Sequence, residues 1–362
     1  MSPQRIHQMT ANLVYGDAVT NDVLEIDRLL KSWGLNATIY AESAESRLGG
    51  VSRPTSAYEP YLADREDVLL YHYSIYSDNL QQYRRSHNRK VVIYHNITPP
   101  EYFQDFDPHL ATLCRLGRAS LAALSDCDIA LAVSEYNLRD LIAAGVPAER
   151  AFVRPVSLDL VNLAEAPVNG ELARQLRTTA RVNLLSVGRL APNKRCDDLI
   201  KVAYAYHRYI DPSVHLWLVG NRSFRTYVKY VAELISRLDL NEVVTVTDRV
   251  SRGDLRTYYE NSDVFLSASC HEGFGVPLIE SMTFDLPILA RAAAAVPETL
   301  GDAGILIREW KIPEIAELLR IVVSDGGLRT TLKTHGKHRV AQLTREKAEA
   351  PLRGALERLG VL

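Results

Sequence analysis

Short apolar runs alternate along the chain with longer stretches in which apolar residues recur every three or four positions. The first pattern predicts strands buried on both faces, the second helices with one buried face. Ile6 to Val14 is the first predicted strand, and it runs into the turn Tyr15-Gly16-Asp17-Ala18. Asp22 is expected to cap a helix whose apolar face is Val23, Ile26, Leu29, Leu30 and Trp33, closed by Gly34. Strands are predicted at Ala37 to Tyr40, Val68 to Tyr73 and Val91 to Tyr94. A long helix over about His109 to Leu124, a strand Ile129 to Val133, a helix Tyr136 to Ala144 ended by Gly145, and a strand Phe152 to Val156 complete this half.

Residues 157 to 180, with Pro167, Gly170 and a polar run, break the rhythm and read as an inter-domain connection. The alternation then restarts, with strands at Val182 to Val187, Val214 to Val219, Val243 to Val246, Val264 to Ala268, Ile288 to Ala290 and Ile305 to Ile307. Strands separated by helices form parallel sheets through right-handed crossovers. The expected architecture is therefore α/β: two doubly wound Rossmann-like domains facing a central cleft. The first covers 1–165 and the second 170–343, and the helix 344–362 is expected to pack back on the first. In such folds ligands lie beyond the carboxyl ends of the strands, so the loops after strands are where chemistry is sought.

A chain of 362 residues is longer than one core ordinarily uses, in keeping with two domains. The formal charge of −2 gives no basic excess, which argues against a nucleic-acid partner. Cys114, Cys127, Cys196 and Cys270 include no CxxC pair, which argues against a zinc site or disulfide framework. Met1 to Asn21 has no apolar core of a signal peptide, and no run approaches 18 apolar residues, so a cytoplasmic location is expected.

Two post-strand stretches carry chemistry. In His271-Glu272-Gly273-Phe274-Gly275-Val276-Pro277-Leu278-Ile279-Glu280, the glycines permit a tight turn and Pro277 suits a helix start. The free N–H groups of that start make an anion site. Glu272 on the loop and Glu280, expected on the first turn, could accept hydrogen bonds from sugar hydroxyls. In Ser186-Val187-Gly188-Arg189-Leu190-Ala191-Pro192-Asn193-Lys194, a glycine turn is followed by two cations suited to a diphosphate.

These stretches resemble the family 4 retaining glycosyltransferases (glycosyl transferases group 1), which have the GT-B fold. Ser134-Glu135-Tyr136-Asn137, Asp248-Arg249-Val250-Ser251 and Val296-Pro297-Glu298-Thr299-Leu300 add to the likeness. The resemblance implies that Arg189 and Lys194 hold the diphosphate and that Glu280 takes the ribose hydroxyls. It implies that Glu272 and the loop Gly273, Phe274, Gly275 and Val276 hold the donor sugar, with the main chain near Val250 contacting the base. It places Gly16 in the first loop beside the donor, and gives His95, in Ile93-Tyr94-His95-Asn96-Ile97-Thr98-Pro99-Pro100, a catalytic reach to the sugar. His72, Asn137 and Arg139 are weaker candidates. Asp285 stands where many members have Gly, and a loop effect is expected.

The implied activity moves a hexose, with retention, from a UDP- or GDP-linked sugar to a glycan or lipid-linked acceptor in polysaccharide or glycolipid assembly. The nucleotide sugar is a co-substrate, and no cofactor or metal is expected. Asp105-Phe106-Asp107 and Asp126-Cys127-Asp128 match a metal-binding Asp-x-Asp string, but both lie in the first half and are read as structural. Cys270 is read as packing. The basic run Arg84 to Lys90 reads either as a solvated loop or as a peripheral contact with an anionic membrane face. A non-catalytic nucleotide-binding scaffold and an NAD-dependent oxidoreductase stay open as alternatives. The latter lacks a G-x-G-x-x-G turn. Base, sugar, acceptor and oligomeric state are not encoded in these motifs.

Overall fold

The computed structural model describes residues 4–362; residues 1–3, with which the first expected domain opens, lie outside the described residues. The chain forms two compact units. The first comprises the residues up to Glu101, His109–Leu158 and Leu343–Leu362; the second comprises Tyr102–Pro108 and Asp159–Gln342.

The first unit is built on strands β1 (Arg5–Leu13), β2 (Asn36–Ala44), β3 (Ser52–Pro54), β4 (Val68–Tyr73), β5 (Arg89–Tyr94), β6 (Ile129–Ala132) and β7 (Ala151–Val153). Their order is β3-β2-β1-β4-β5-β6-β7, and every neighbouring pair is parallel. All six residues of β4 are buried, as expected for a central strand covered on both faces. The last helix, Arg345–Arg358, places Leu352, Ala355 and Leu356 in one apolar cluster with Ile6, Val68, Val91 and Ile129.

The second unit carries β8 (Val182–Val187), β9 (Val214–Val219), β10 (Val244–Val246), β11 (Val264–Ser267), β12 (Ile288–Arg291) and β13 (Ile305–Ile307). These are all parallel, in the order β10-β9-β8-β11-β12-β13. Leu184, Leu216, Leu266 and Leu289 of the sheet pack with Leu199, Val202 and Leu319 of the helices Cys196–Tyr209 and Ile312–Ser324. Among the described residues no helix is long and apolar enough to cross a membrane.

Several expectations are corrected. The domain boundary falls at Leu158/Asp159 rather than at 165/170. The expected connection is largely two helices, Leu160–Glu165 and Gly170–Thr179, that belong to the second unit. Tyr102–Pro108 also groups there, because its aromatic side chains pack with that unit. The helix expected over His109 to Leu124 is α-helical only over Pro108–Ala119 and continues as a short 3-10 turn, Leu121–Leu124.

Asp22 is not a cap. The helix Ala18–Ser32 starts at Asp17, whose carboxylate accepts from the N–H groups of Val19 and Thr20. Asp22 lies one turn further in, fully buried, and binds the Arg154 guanidinium through two bonds of 2.8 and 3.1 Å. The N–H of Ser157 donates to the same carboxylate, and Arg154 also donates to the Ser157 hydroxyl. This ties the first helix to the chain leaving β7. A buried pair of this kind contributes little net stability, but loss of one partner strands the other charge. Arg154→Leu is therefore expected to cost about 3–5 kcal/mol. Adding Asp22→Leu should recover most of it. Chemical denaturation of the singles and the double measures this coupling, and strictly additive costs would deny it.

Candidate functional site

The second unit brings the post-β8 and post-β11 loops together at the carboxyl edge of its sheet. A pocket opens there, lined by Gly188, Arg189, Lys194, Ser267, Glu272 and Gly275, among others. Two glycines are required by the backbone. Gly275, with φ 95°, turns the chain into the helix Val276–Thr283, whose start no side chain caps. Pro277 has no N–H and that of Leu278 donates to the carbonyl of Gly275, so the start offers the positive end of the helix dipole more than a row of free donors. At Gly220, just after β9, a Cβ would lie 2.1 Å from the carbonyl oxygen of Gly188, so the loops after β8 and β9 pack backbone to backbone.

Lys194 and Glu272 meet across this pocket, with Nζ 2.5 Å from Oε1 and both side chains largely buried. Two further bonds fix the Glu272 loop relative to Lys194: Asn193 Nδ2 donates to the carbonyl of His271, and the N–H of Cys270 donates to the carbonyl of Asn193. The N–H of Ala295 donates to the carbonyl of Glu272, and the Thr299 hydroxyl to that of Phe274. Gly273, Phe274, Gly275 and Val276 are thus held between the post-β8 turn and the segment after β12.

Arg189 is exposed, and its guanidinium lies over the Phe224 ring, 5.0 Å from the centroid. Arg195, by contrast, is occupied internally: it donates to both carboxylate oxygens of Asp197 at 3.1 and 3.0 Å and to Asp198 at 3.0 Å. Of the three cations in this stretch, Arg189 and Lys194 line the pocket.

Glu280 lies on the second turn of its helix rather than the first, because the helix begins at Val276. The Tyr259 hydroxyl donates to Glu280 Oε2 at 2.7 Å. Burial pushes the Glu280 carboxyl above its ordinary range, and the tyrosine bond pulls the other way. Tyr259 is fully buried and stacks on Phe284, so it fixes the carboxylate's direction. Val250 lies half-buried in the loop between β10 and the helix Arg252–Glu260. Asp285 closes the Glu280 helix with φ 56°, the left-handed region a glycine enters freely, which accounts for glycine at this position in the family it resembles.

His95 and Gly16 belong to the first unit, as do His72, Asn137 and Arg139. Gly16 sits exposed in the turn after β1. His95 is buried, its Nε2 3.0 Å from Nδ1 of His72, whose Nε2 is 3.0 Å from Gln8 Oε1. Asp22, His72 and His95 bring ligand atoms within 4.8 Å of one another. Both oxygens of Asp22 already accept from Arg154, whose positive charge opposes a metal cation, and the hydrogen bonds of the histidines run from Gln8 through His72 to His95. Burial lowers the His95 pKa to about 4 despite the nearby Asp22 carboxylate, so its imidazole is neutral at ordinary pH.

The weaker candidates separate. Asn137 is fully buried and accepts from the Asn96 side chain, holding the loop after β5 with Asn96 at φ 81°. Arg139 is exposed. The Asp126 and Asp128 carboxylates accept from Lys90 Nζ and Lys90 N, each at 2.7 Å. Within the basic run, Arg85 pairs with Glu59, while Arg89 donates to the carbonyls of Leu359 and Glu66. Cys270 is half-buried, and burial pushes its thiol up against the pull of Arg291 and Arg195, so it is not a ready nucleophile.

Sequence reasoning missed Arg154, Tyr259 and Phe224. Each acts through a partner far along the chain, and none stands in a motif. A buried arginine just past a strand was the one available signal.

Two sheets of parallel strands joined by helical crossovers are the architecture of the GT-B fold. The same architecture is found in Alr3699/HepE from Anabaena solved with UDP-glucose, at 19% identity and TM-score 0.76 over 99% of this chain and 100% of that one. It also recurs in WaaG, a glycosyltransferase involved in lipopolysaccharide biosynthesis, at 17% identity and TM-score 0.70 over 97% and 98%. Residues 172–339 match the family model of glycosyl transferases group 1. It is 25% identical over 229 residues to the D-inositol 3-phosphate glycosyltransferase of Kineococcus radiotolerans, covering 59% of this chain and 53% of that protein. It is 23% identical over 222 residues to the GDP-mannose-dependent alpha-(1-6)-phosphatidylinositol monomannoside mannosyltransferase of Mycobacterium tuberculosis, covering 58% and 56%. The matched stretches thus span little more than half of these two relatives.

The neutral histidines make stability depend on pH. Burial lowers the pKa of His7 and His72, and brings His95 and His215 to about 4. The unfolded chain takes up these protons near pH 6.5, the fold only well below it, so the unfolded state binds more protons in between. Their contribution is complete above pH 6.5 and is lost as pH falls toward 4. The melting temperature should drop by several degrees over that window, and His95→Asn should flatten the slope. An unchanged slope in that variant would assign the loss to other groups.

Proposed function

We propose that the protein is a retaining, metal-independent glycosyltransferase that moves a hexose from a UDP- or GDP-linked donor onto a glycan or lipid-linked acceptor. The observation that carries this reading is the Lys194–Glu272 pair across a pocket also lined by Arg189 and Gly275. It sets a cation for phosphate beside a carboxylate for sugar hydroxyls within one hydrogen bond of each other. The relatives named for GDP-mannose and the fold shared with a protein solved with UDP-glucose support a nucleotide-sugar donor.

In this reading the diphosphate lies between Arg189, Lys194 and the uncapped start of the helix Val276–Thr283. The two cations take the charge that develops on the leaving diphosphate, the task a divalent ion performs in other transferases. Glu272 and the Gly273–Val276 loop hold the sugar, Glu280 accepts from the ribose hydroxyls, and the main chain at Val250 meets the base. The acceptor hydroxyl attacks on the face the diphosphate leaves. The new glycosidic bond forms as the anomeric carbon–phosphate oxygen bond breaks, and the acceptor proton passes to the departing phosphate oxygen. The neutral His95, together with Gly16, is assigned to the sugar as a hydrogen-bonding group, not as a general acid. The reaction takes place in the cytoplasm, with a lipid-linked acceptor met at the inner membrane face; Arg84 and Arg85 are the exposed arginines of the basic run, Arg85 being paired with Glu59.

Lys194→Ala and Glu280→Ala should each lower transfer at least about ten-fold, the loss expected when a charge-stabilising contact goes. Full turnover in the folded double variant would sink the assignment. Glu272→Gln should separate binding from transfer. With its carboxylate gone, Lys194 no longer has an internal anion to leave, so UDP or GDP should bind more tightly while transfer falls. Calorimetry with each nucleotide, with and without EDTA, measures this. Weaker binding in Glu272→Gln would place the carboxylate elsewhere, and a strict divalent-ion requirement would overturn metal independence.

A further inference from the structure

Residues Tyr102–Pro108 belong to the second unit although the sequence on both sides of them belongs to the first. Two rings fix them there. Phe103, 2% exposed, stacks on Phe224 with centroids 5.6 Å apart and planes 11° from parallel. A second partner of the Phe224 ring is the Arg189 guanidinium, 5.0 Å from its centroid. Phe106 packs edge-on against Tyr227, with centroids 5.1 Å apart and an interplanar angle of 87°. The Tyr227 hydroxyl donates to Asp197 at 3.1 Å, and Asp197 accepts from Arg195, the residue after Lys194.

Each ring therefore ends on one of the two cation-bearing turns. An exposed arginine ordinarily samples many rotamers, and holding one costs side-chain entropy. A flat aromatic face under the guanidinium favours one plane, provided the ring itself cannot turn away. Phe224 lies in a loop, after β9, and Phe103 is what keeps its plane fixed. On the other side, Arg195 adopts φ 52°, a conformation that non-glycine residues seldom take, and its fork onto Asp197 holds it there. Phe106 supports that fork through Tyr227.

We propose that the segment Tyr102–Pro108 braces the phosphate-binding cations, with Phe103 and Phe106 as positioning residues that preorganise Arg189 and Lys194 for a nucleoside diphosphate. This rests on the reading of the pocket given above. Neither ring touches the ligand; they act by lowering the entropy that the two cations lose when it binds.

The test uses calorimetry on the full chain with UDP, GDP, UMP and GMP, alongside the melting temperature of each variant. Phe103→Leu keeps the apolar volume and removes the flat ring; Phe103→Tyr keeps the ring. In Phe103→Leu, Kd for the nucleoside diphosphate that the wild type binds should rise roughly three- to ten-fold, and Kd for the corresponding monophosphate much less. Phe103→Tyr should bind as the wild type does. Phe106→Leu should act in the same direction, and Phe224→Leu should reproduce Phe103→Leu without adding to it. If Phe103→Leu, folded, binds the diphosphate as tightly as the wild type, the brace is refuted while the pocket reading stands. Equal weakening of mono- and diphosphate would also refute it, since that reports loss of the pocket as a whole. If the wild type binds neither UDP nor GDP, the pocket reading fails and takes the brace with it.

Discussion

When every strand of a sheet runs the same way, all its carboxyl ends lie on one edge, and the turns that leave them are forced side by side. The second unit is organised by that constraint. The turns after β8 and β11 are separated by some eighty residues of sequence, yet adjacent strands place them within one hydrogen bond, and Lys194 meets Glu272. Gly188 and Gly220 let the neighbouring loops pack without side chains between them. The helix starting at Val276 is aimed at the same spot because it leaves the same edge. No residue of this group needs a special environment of its own; the strand direction supplies it.

The first unit solves a different problem. Several of its polar groups lie inside and each of these is matched: Asp22 by Arg154, His7 by Asp67, and the buried Lys90 by the exposed Asp126. Burial penalises the Asp22 carboxylate, but the guanidinium outweighs it and holds the pKa below its usual range. The same guanidinium helps keep His95 neutral. Burial is the main cause of the neutral imidazole; the pair that links the first helix to the exit of the last strand acts on it in both senses, the carboxylate raising its pKa and the guanidinium lowering it.

How much of this the sequence disclosed follows from the range of each interaction. Strands were legible because a short, mainly apolar run between polar stretches is most readily buried as a strand; β4, β8, β9 and β13 lie where the pattern put them. Asp22 was misread because both it and Asp17 stand where a helix could begin, and only a partner 132 residues away separates a cap from a core ion pair. Glu280 was placed one turn early because Pro277 marks a helix start only to within a residue or two. The donor-side motifs were legible because they are contiguous in sequence. Tyr259 and Phe224 were not, since an aromatic residue on a helix or in a loop looks the same whether it fills a core or steadies a charge. Tyr102–Pro108 was hidden for a related reason: chain neighbours were assumed to be neighbours in folding.

The polypeptide passes between the two units four times, at Glu101/Tyr102, Pro108/His109, Leu158/Asp159 and Gln342/Leu343. Neither unit is therefore a single cassette. Recombination or design that exchanges halves between relatives at the obvious linker would import a foreign counterpart of Phe103 and Phe106, and would separate the terminal helix from the apolar face it covers. Modular shuffling in this chain has to move three segments together, which makes the unit of inheritance the whole chain rather than the half.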